Sequence, residues 1–234
     1  MRSYTATDCE PELAAILECQ QIPRDTKLDR RISELIERAI SEFAKIARPR
    51  ALVTEISQPE FAAVYRGAGN NEPVTPVGDI YPHAEHLALF LLTVGAGVSE
   101  QIDWLFSQND FALGAMLDSV ASAAADRVAD LVESQYLSEV AAADDLHSLR
   151  FSPGYCGWHV SGQQRLFEFL KPEEIGVTLR PSFLMEPLKS ISGVIIVGES
   201  RIFDFDDSYD FCAACRDHSC RERRPTGPQQ KEMR

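Results

Sequence analysis

The amino-acid sequence predicts an α+β fold. Segments with helical spacing of apolar residues dominate the earlier part of the 234 residues, and short candidate strands with hairpin-like spacing come late. This order differs from the regular alternation of strands and helices that indicates a parallel sheet. A hydrophobic content of 44% with 25% charged residues is typical of a globular protein, so the chain can bury a core.

The N-terminal part is predicted to be mainly helical. Residues 8–17 indicate a short helix, and residues 26–47 place apolar side chains at helical spacing. Residues 51–56 and 61–65 alternate well enough to be predicted as short strands. Residues 66–80 are rich in Gly, Asn and Pro and are predicted to form an exposed loop.

The central part contains the most apolar segments. Residues 81–95 have mixed character: Pro82 suits a first helical turn and the segment then becomes predominantly apolar, which indicates either a buried helix or a helix followed by a strand. Residues 96–106 and 110–136 are predicted helices, and the second is so rich in alanine that we expect it to be buried. The remaining predictions are a helix over 163–170 and strands over 175–179, 183–188, 193–197 and 202–205.

A glycine-containing loop, Arg150-Phe-Ser-Pro-Gly-Tyr-Cys-Gly-Trp-His159, has the composition of a ligand-binding loop. Arg150 can pair bidentately with a carboxylate or phosphate, and the backbone at Ser152 and Gly154 can meet a polar ligand edge. Tyr155 or Trp158 can stack on an aromatic ring. The alternative is a structural turn whose aromatic side chains fill the core.

Two further features accompany this loop. A second polar segment, Ser190-Ile-Ser-Gly193, leads into an apolar strand. His159 could approach cobalt as an imidazole ligand or simply cap the helix that follows it.

These motifs resemble the activation domain of vitamin B12-dependent methionine synthase. The resemblance covers about half of the chain, roughly residues 81–197. The matching elements, in order, are Thr93-Val-Gly95, Leu105-Phe106, Asn109-Asp110, Leu117-Asp118 with Ala123-Ala124-Ala125, Arg150-x-Ser-Pro-Gly-Tyr-Cys156, Gln164-x-Leu-Phe-x-x-Leu170, Ile175-Gly-Val-x-Leu179, Ser182-Phe-Leu-Met185, Pro187 and Ser190-x-Ser-Gly193.

The resemblance implies an α+β fold built on a twisted antiparallel sheet, flanked by helices, that binds S-adenosylmethionine and docks on a cobalamin-carrying protein. In the family, this module supports reductive methylation of oxidised cobalamin. The resemblance places Arg150 at the ligand-binding arginine, and Ser152 and Gly154 at backbone-contacting positions, with Tyr155 directly after. Ser190, Ser192 and Gly193 match the second ligand-binding element.

The chain departs from the family pattern at three places. Ser122 stands where the family has a ligand-binding glutamate, and Arg201-Ile-Phe203 stands where it has a Tyr-Tyr pair. Cys156-Gly-Trp-His159 replaces a segment that begins with proline in the family. The chain is also too short for the catalytic, folate and cobalamin modules of a methionine synthase. We therefore expect a stand-alone accessory module for a corrinoid methyltransferase, binding S-adenosylmethionine or a related ligand.

Cysteines near the C-terminus indicate a second site. Cys212, Cys215 and Cys220 fall within nine residues with His218 among them, and these are ligand types of zinc and iron–sulfur sites. Three local thiols need a fourth ligand, which could be His218, Cys156 or an exogenous group. The alternative for these residues is reduced or redox-labile surface thiols. The alternative function for the whole protein is a metal- or iron–sulfur-binding interaction or electron-transfer protein whose ligand cleft is vestigial.

Charge and targeting signals bound the partners and location. The net charge of −13 argues against nucleic acid, and no apolar run is long enough to span a membrane. No basic segment followed by an apolar one opens the chain, so we expect a cytoplasmic protein. The expected organisation is an N-terminal helical segment (1–50), an activation-domain-like core (51–205) and a Cys-rich basic tail (206–234).

Overall fold

The computed structural model describes residues 1–23, 25–141, 145–205 and 209–212. Seven α-helices lie within these ranges, and none of them is both long and apolar enough to cross a membrane. The helices are Leu13–Cys19 (α1), Arg30–Ile46 (α2), Gln58–Arg66 (α3), Pro76–Ile80 (α4), Ala96–Ser107 (α5), Phe111–Val140 (α6) and Gly162–Phe169 (α7).

The described residues form seven strands, namely Arg2–Ser3 (β1), Arg50–Glu55 (β2), His86–Thr93 (β3), Leu146–Phe151 (β4), Thr178–Leu179 (β5), Met185–Glu186 (β6) and Ser190–Glu199 (β7). Five of them make a sheet in the order β1-β2-β3-β7-β4, and β5 pairs with β6. The pairs β1–β2, β4–β7 and β5–β6 are antiparallel. The predicted α+β class with an antiparallel sheet is confirmed.

The prediction of a strand over residues 61–65 is wrong, because this segment belongs to α3. Ser57 and Glu60 form a capping box at its start: the Ser57 backbone N–H donates to Glu60 Oε2 over 3.0 Å. Pro59 occupies the first turn, where a missing N–H costs nothing. These start signals outweigh the short apolar alternation that suggested a strand.

Three other segments also differ from the sequence-based expectation. The predicted loop over 66–80 ends in α4, whose Val77 and Ile80 are buried. The predicted strand over 202–205 is wrong, since Ser200–Phe203 forms a 3-10 turn. For residues 81–95 the helix-then-strand alternative is confirmed, with a 3-10 turn at Tyr81–His83 before β3.

The chain divides into two compact units. The first comprises Met1–Leu52, Leu91–Leu131 and Pro172–Ile191. Its core is formed by large apolar side chains and by the small residues of α6, whose alanine-rich face is buried as predicted. Fully or nearly fully buried members include Ile16, Phe43, Leu92, Val98, Leu117, Ala121 and Ala124.

The second unit comprises Val53–Phe90, Val132–Lys171 and Ser192–Arg234. Its core combines the apolar residues of β7 with a cluster of aromatic side chains. Buried members include Phe61, Leu89, Trp158, Leu166, Ile196 and Phe203. The loop predicted to bind a ligand lies in this unit.

Candidate functional site

The two predicted ligand motifs meet at one end of the β4–β7 ladder. Phe151 of β4 lies opposite Val194 of β7, and Gly193 is the residue directly before Val194. A Cβ atom built on Gly193 would lie 2.1 Å from the Phe151 carbonyl oxygen. Position 193 therefore has no room for a side chain. Because glycine has none, the turn at Ser152 can begin directly beside it.

Arg150 is held by a buried ion pair. Its Nη1 atom donates a hydrogen bond to Glu133 Oε2 over 2.5 Å, and both side chains are only 11% exposed. Arg150 comes from β4 and Glu133 from α6, so the pair ties the strand to the helix. A charged pair at this depth fixes the position of the guanidinium, because separating the charges would leave one of them unpaired in a poorly solvated site.

Two backbone hydrogen bonds hold the Ser152–Gly154 turn. The Tyr155 N–H donates to the Ser152 carbonyl over 3.2 Å, and the Gly154 N–H donates to the Trp158 carbonyl over 2.7 Å. Gly154 has a φ of +97°, which glycine adopts without strain. Tyr155 follows with 53% of its surface exposed. The turn thus presents the Tyr155 ring to solvent on a rigid support.

Trp158 is a core residue. It is 1% exposed and packs against the rings of Phe61 and Tyr65, with ring centroids 5.9 Å and 5.7 Å away. The Phe61 ring meets Trp158 edge-on, at 85° between the ring planes. Of the two aromatic side chains that the sequence offered for stacking on a ligand, only Tyr155 has an exposed ring in the described structure.

His159 stabilises the start of α7. Its backbone N–H donates to Asn71 Oδ1 over 3.0 Å, and its Nδ1 accepts from the Ser161 N–H over 3.2 Å. Nδ1 also lies 2.8 Å from the Ser161 hydroxyl oxygen. These contacts support the capping alternative for His159, and the Asn71 contact anchors the loop to the segment before α4.

The two serines of the second motif differ in their bonding. Ser190 is buried, and its hydroxyl donates to the Pro187 carbonyl over 2.7 Å. Ser192 is 2% exposed, and its Oγ has no hydrogen-bond partner among the described residues. A buried hydroxyl without a partner costs free energy, so Ser192 has bonding capacity that a ligand or water would satisfy.

Lys189, directly before this motif, contacts Ser122, which stands where the family has a ligand-binding glutamate. Its Nζ lies 2.8 Å from Ser122 Oγ and 2.8 Å from Asp118 Oδ1. The side chain of Lys189 is 15% exposed, and that of Asp118 is 47% exposed. Where the resemblance places a ligand-binding glutamate, this chain therefore has a serine bound to an ammonium group.

Arg201-Ile-Phe203, another departure from the family pattern, lies in the 3-10 turn after β7. Phe203 is buried, and the Arg201 Nε atom lies 2.8 Å from Glu199 Oε2 at an exposed position. Phe203 contributes to the core of its unit.

The predicted metal ligands are only partly within the described residues. Cys215, His218 and Cys220 lie outside them, while Cys156 and Cys212 lie within them and are half-buried. Phe211 lies against Gly157. Cys156 directly precedes Gly157 in the sequence, and Cys212 directly follows Phe211. Within the described ranges no group of three potential ligands could hold a metal ion. Metal binding at this cluster stays a prediction.

Sequence reasoning missed Glu133 and Lys189. Each charged side chain contacts a residue that the motifs had singled out, Arg150 and Ser122 respectively. A signal for Glu133 was present, because it lies four residues after Ala129 and three before Tyr136, and this helical spacing places it on the apolar face of α6, where a carboxylate requires a partner. The sequence gives no comparable signal for Lys189, since a lysine in a polar segment is ordinarily solvated.

Comparison with models of known protein families finds a match. A family model described as the activation domain of vitamin B12 dependent methionine synthase matches residues 77–207, which is more than half of the chain. The chain belongs to this activation-domain family. The matched segment contains Glu133, Arg150, the Ser152–Gly154 turn and the Ser190–Gly193 motif.

A solved structure supports the fold assigned to this activation-domain family member. The chain is similar to a crystal structure of the MetH reactivation domain bound to AdoHcy, with a TM-score of 0.61 and 15% sequence identity. The match covers 83% of this chain and 77% of that chain. Comparison with curated proteins finds no match.

Proposed function

We propose that the protein binds S-adenosylmethionine or a related ligand and supports the reductive reactivation of a cobalamin-carrying methyltransferase. The observation that carries this proposal is the family match, which spans both candidate ligand motifs. The similar MetH reactivation domain was crystallised with AdoHcy, which supports the same class of ligand here. In such a system the methyl transfer is cobalt and sulfonium chemistry, and the protein supplies placement.

Arg150 is proposed to bind the carboxylate of the ligand. A guanidinium suits this role because it donates in a planar fork that matches a carboxylate. The ion pair with Glu133 supports the assignment, since a side chain fixed between strand and helix loses little conformational entropy when a ligand binds. Glu133 would then act as a positioning residue for Arg150.

The remaining contacts are proposed for the turn and the second motif. The exposed ring of Tyr155 would pack on the adenine or the corrin ring, and the Ser152–Gly154 backbone would meet the polar edge of the ligand. Ser190, Ser192 and Gly193 would form the opposing segment. The unpartnered hydroxyl of Ser192 supports this placement, because a ligand atom would satisfy it.

Isothermal titration calorimetry with S-adenosylmethionine and S-adenosylhomocysteine tests the proposal. Arg150→Ala alone would strand the Glu133 carboxylate, so the informative variant is the double substitution Arg150→Met with Glu133→Leu, which removes both charges. We expect this variant to stay folded and to lose ligand binding. Tyr155→Ala should weaken binding about tenfold, as the loss of one stacked ring does.

The matched control is Arg165→Met with Glu168→Leu, which removes an exposed ion pair on α7. It should bind as the unmodified protein does. Wild-type protein that binds neither ligand, or a folded Arg150→Met/Glu133→Leu variant with unchanged affinity, would overturn the proposed ligand site.

A further inference from the structure

Three aromatic side chains are exposed where α5 connects to α6. Trp104, Phe106 and Phe111 are 55%, 38% and 57% exposed. The rings of Phe106 and Phe111 lie 6.2 Å apart, and the Phe106 ring lies over Gly114. We call these three residues the α5–α6 aromatic patch.

The fold of the first unit does not require this patch. Helix α5 buries Val98, Ile102 and Leu105 on its inner face, and Trp104 and Phe106 lie outside that stripe. Exposed aromatic groups of this size are costly in water, and Trp and Phe are enriched at protein interfaces. The patch therefore has the character of a binding surface.

The charge around the patch is negative. Between Val94 and Asp126 the sequence contains no lysine or arginine, and its acidic residues are Glu100, Asp103, Asp110, Asp118 and Asp126. Arg38 approaches Asp110 at 3.5 Å, and Lys189 pairs with Asp118. Glu100 and Asp103, which lie within one turn of Trp104, have no ion-pair partner among the described residues.

This charge selects the kind of partner. Acidic side chains repel the phosphates of nucleic acids and of anionic lipids. They attract a protein surface on which lysine or arginine surrounds an apolar depression. A partner cation over the face of the Trp104 indole would add a cation–π interaction, while the two phenylalanines fill the apolar part.

We propose that the α5–α6 aromatic patch is the surface through which this protein docks on its cobalamin-binding partner protein, at an apolar depression with a basic rim. This inference rests on the proposed function, which gives the chain such a partner. The acidic rim accelerates the encounter, and the aromatic side chains hold the complex.

Tryptophan fluorescence provides a direct measurement. The chain has two tryptophans, of which Trp158 is buried and Trp104 is exposed, so quenching by acrylamide reports on Trp104. The probe is the cobalamin-binding protein of the same organism in its apo form, which avoids absorption by the corrin. We expect its addition to protect Trp104 from acrylamide, and we expect added salt to slow association.

Calorimetry with the same apo partner compares variants. Trp104→Ala and Phe111→Ala should each weaken docking roughly tenfold or more, as the loss of an interfacial anchor does. The control is Leu184→Ala, which removes another exposed apolar side chain of the same unit and should leave the affinity unchanged.

Several results would overturn this inference. One is docking whose affinity is the same in Trp104→Ala and Phe111→Ala. Another is protein that binds S-adenosylmethionine but not the apo partner, which would leave the proposed ligand site standing. By contrast, docking that requires Trp104 in a protein that binds no ligand would support this inference and refute only the proposed ligand site. Dimerisation or binding to anionic vesicles that depends on Trp104 would assign the patch to a different occupant, as would protection of Trp104 in the isolated protein.

Discussion

Arg150 and Glu133 form a buried ion pair, with Arg150 Nη1 2.5 Å from Glu133 Oε2 and both side chains 11% exposed. The pair joins the last turns of α6 to the strand that leads into the candidate ligand loop. The two charges compensate each other in a site with little water, so removing either side chain would leave the other charge buried without a partner. The arginine proposed to bind the ligand therefore also contributes to the fold.

Glu133→Leu should destabilise the protein by about 3–5 kcal/mol, because it leaves the Arg150 guanidinium buried without its carboxylate. The double substitution with Arg150→Met should recover most of this loss. Urea denaturation followed by circular dichroism measures both variants. Glu168→Leu, in the exposed pair with Arg165, is the control and should cost about 0–1 kcal/mol. Equal effects of Glu133→Leu and Glu168→Leu would contradict the prediction.

Gly193→Ala should destabilise the β4–β7 ladder. The new Cβ would lie 2.1 Å from the Phe151 carbonyl oxygen, and backbone cannot move aside as a flexible side chain can. We expect a loss of about 1–3 kcal/mol or more from this overpacking. Gly97→Ala is the matched control in α5, where the nearest atom is the Ile46 carbonyl oxygen at 3.7 Å.

Gly97→Ala should stabilise the protein by about 0.4–1 kcal/mol, since alanine restricts the unfolded chain and fits the helix. Thermal unfolding should give opposite shifts of Tm for the two glycine variants. A Gly193→Ala variant as stable as the unmodified protein would show that β4 and β7 are further apart than described.

A comparison of alanine substitutions at Gly157 and Gly69 distinguishes the cost of backbone strain from the cost of crowding. Both have positive φ, +74° and +79°, so alanine is strained at either by about 1–2 kcal/mol. A Cβ on Gly157 would also lie 2.7 Å from Thr75 Cγ2 and 2.8 Å from the Phe211 ring, whereas Gly69 has open space. Denaturant midpoints should therefore fall further for Gly157→Ala. Equal shifts would mean that neither Thr75 nor Phe211 crowds position 157.

The buried thiol of Cys9 should lower stability at alkaline pH. Burial raises the pKa of Cys9 from 9.0 to about 11, because the thiolate is poorly solvated. Between these values the unfolded thiol has lost its proton and the folded one retains it. Folding is therefore disfavoured as pH rises, by up to ~1.4 kcal/mol per pH unit.

Cys9→Ala should remove this component of the pH dependence. Burial also raises the pKa values of Tyr65 and Tyr136, which act in the same direction in both proteins. The measurement is consequently the difference in free energy of unfolding between the unmodified protein and Cys9→Ala, followed from about pH 9 to about pH 11. A difference that does not change with pH would refute the assigned pKa.

The C-terminal thiols are predicted to bind zinc or an iron–sulfur cluster. Protein purified without oxygen should contain metal, measured by elemental and labile-sulfide analysis with UV–visible spectra. Cys212→Ser and Cys220→Ser should lose it, and Cys19→Ser, which changes an exposed thiol far along the chain, should retain it. Colourless, metal-free wild-type protein would refute the prediction.

The sequence predicted helices well where apolar spacing persists over several turns, as in α2, α5 and α6. It failed at short segments, where a capping box or a single turn decides the structure. Strand β4 was not predicted at all. Residues 146–151 carry a histidine, a serine and an arginine, and they form a strand because their backbone pairs with β7 over six residues. Nonlocal pairing of this kind has no signature in the segment itself.

By itself the sequence determined the fold class, the family resemblance and the residue types of both candidate ligand motifs. These follow from local spacing and composition, which every chain segment carries with it. Only the tertiary structure decided which groups face each other: Glu133 against Arg150, Lys189 against Ser122, and Trp158 inside an aromatic core. Such contacts join residues distant along the chain, and their energies depend on burial, which exists only once the chain has folded.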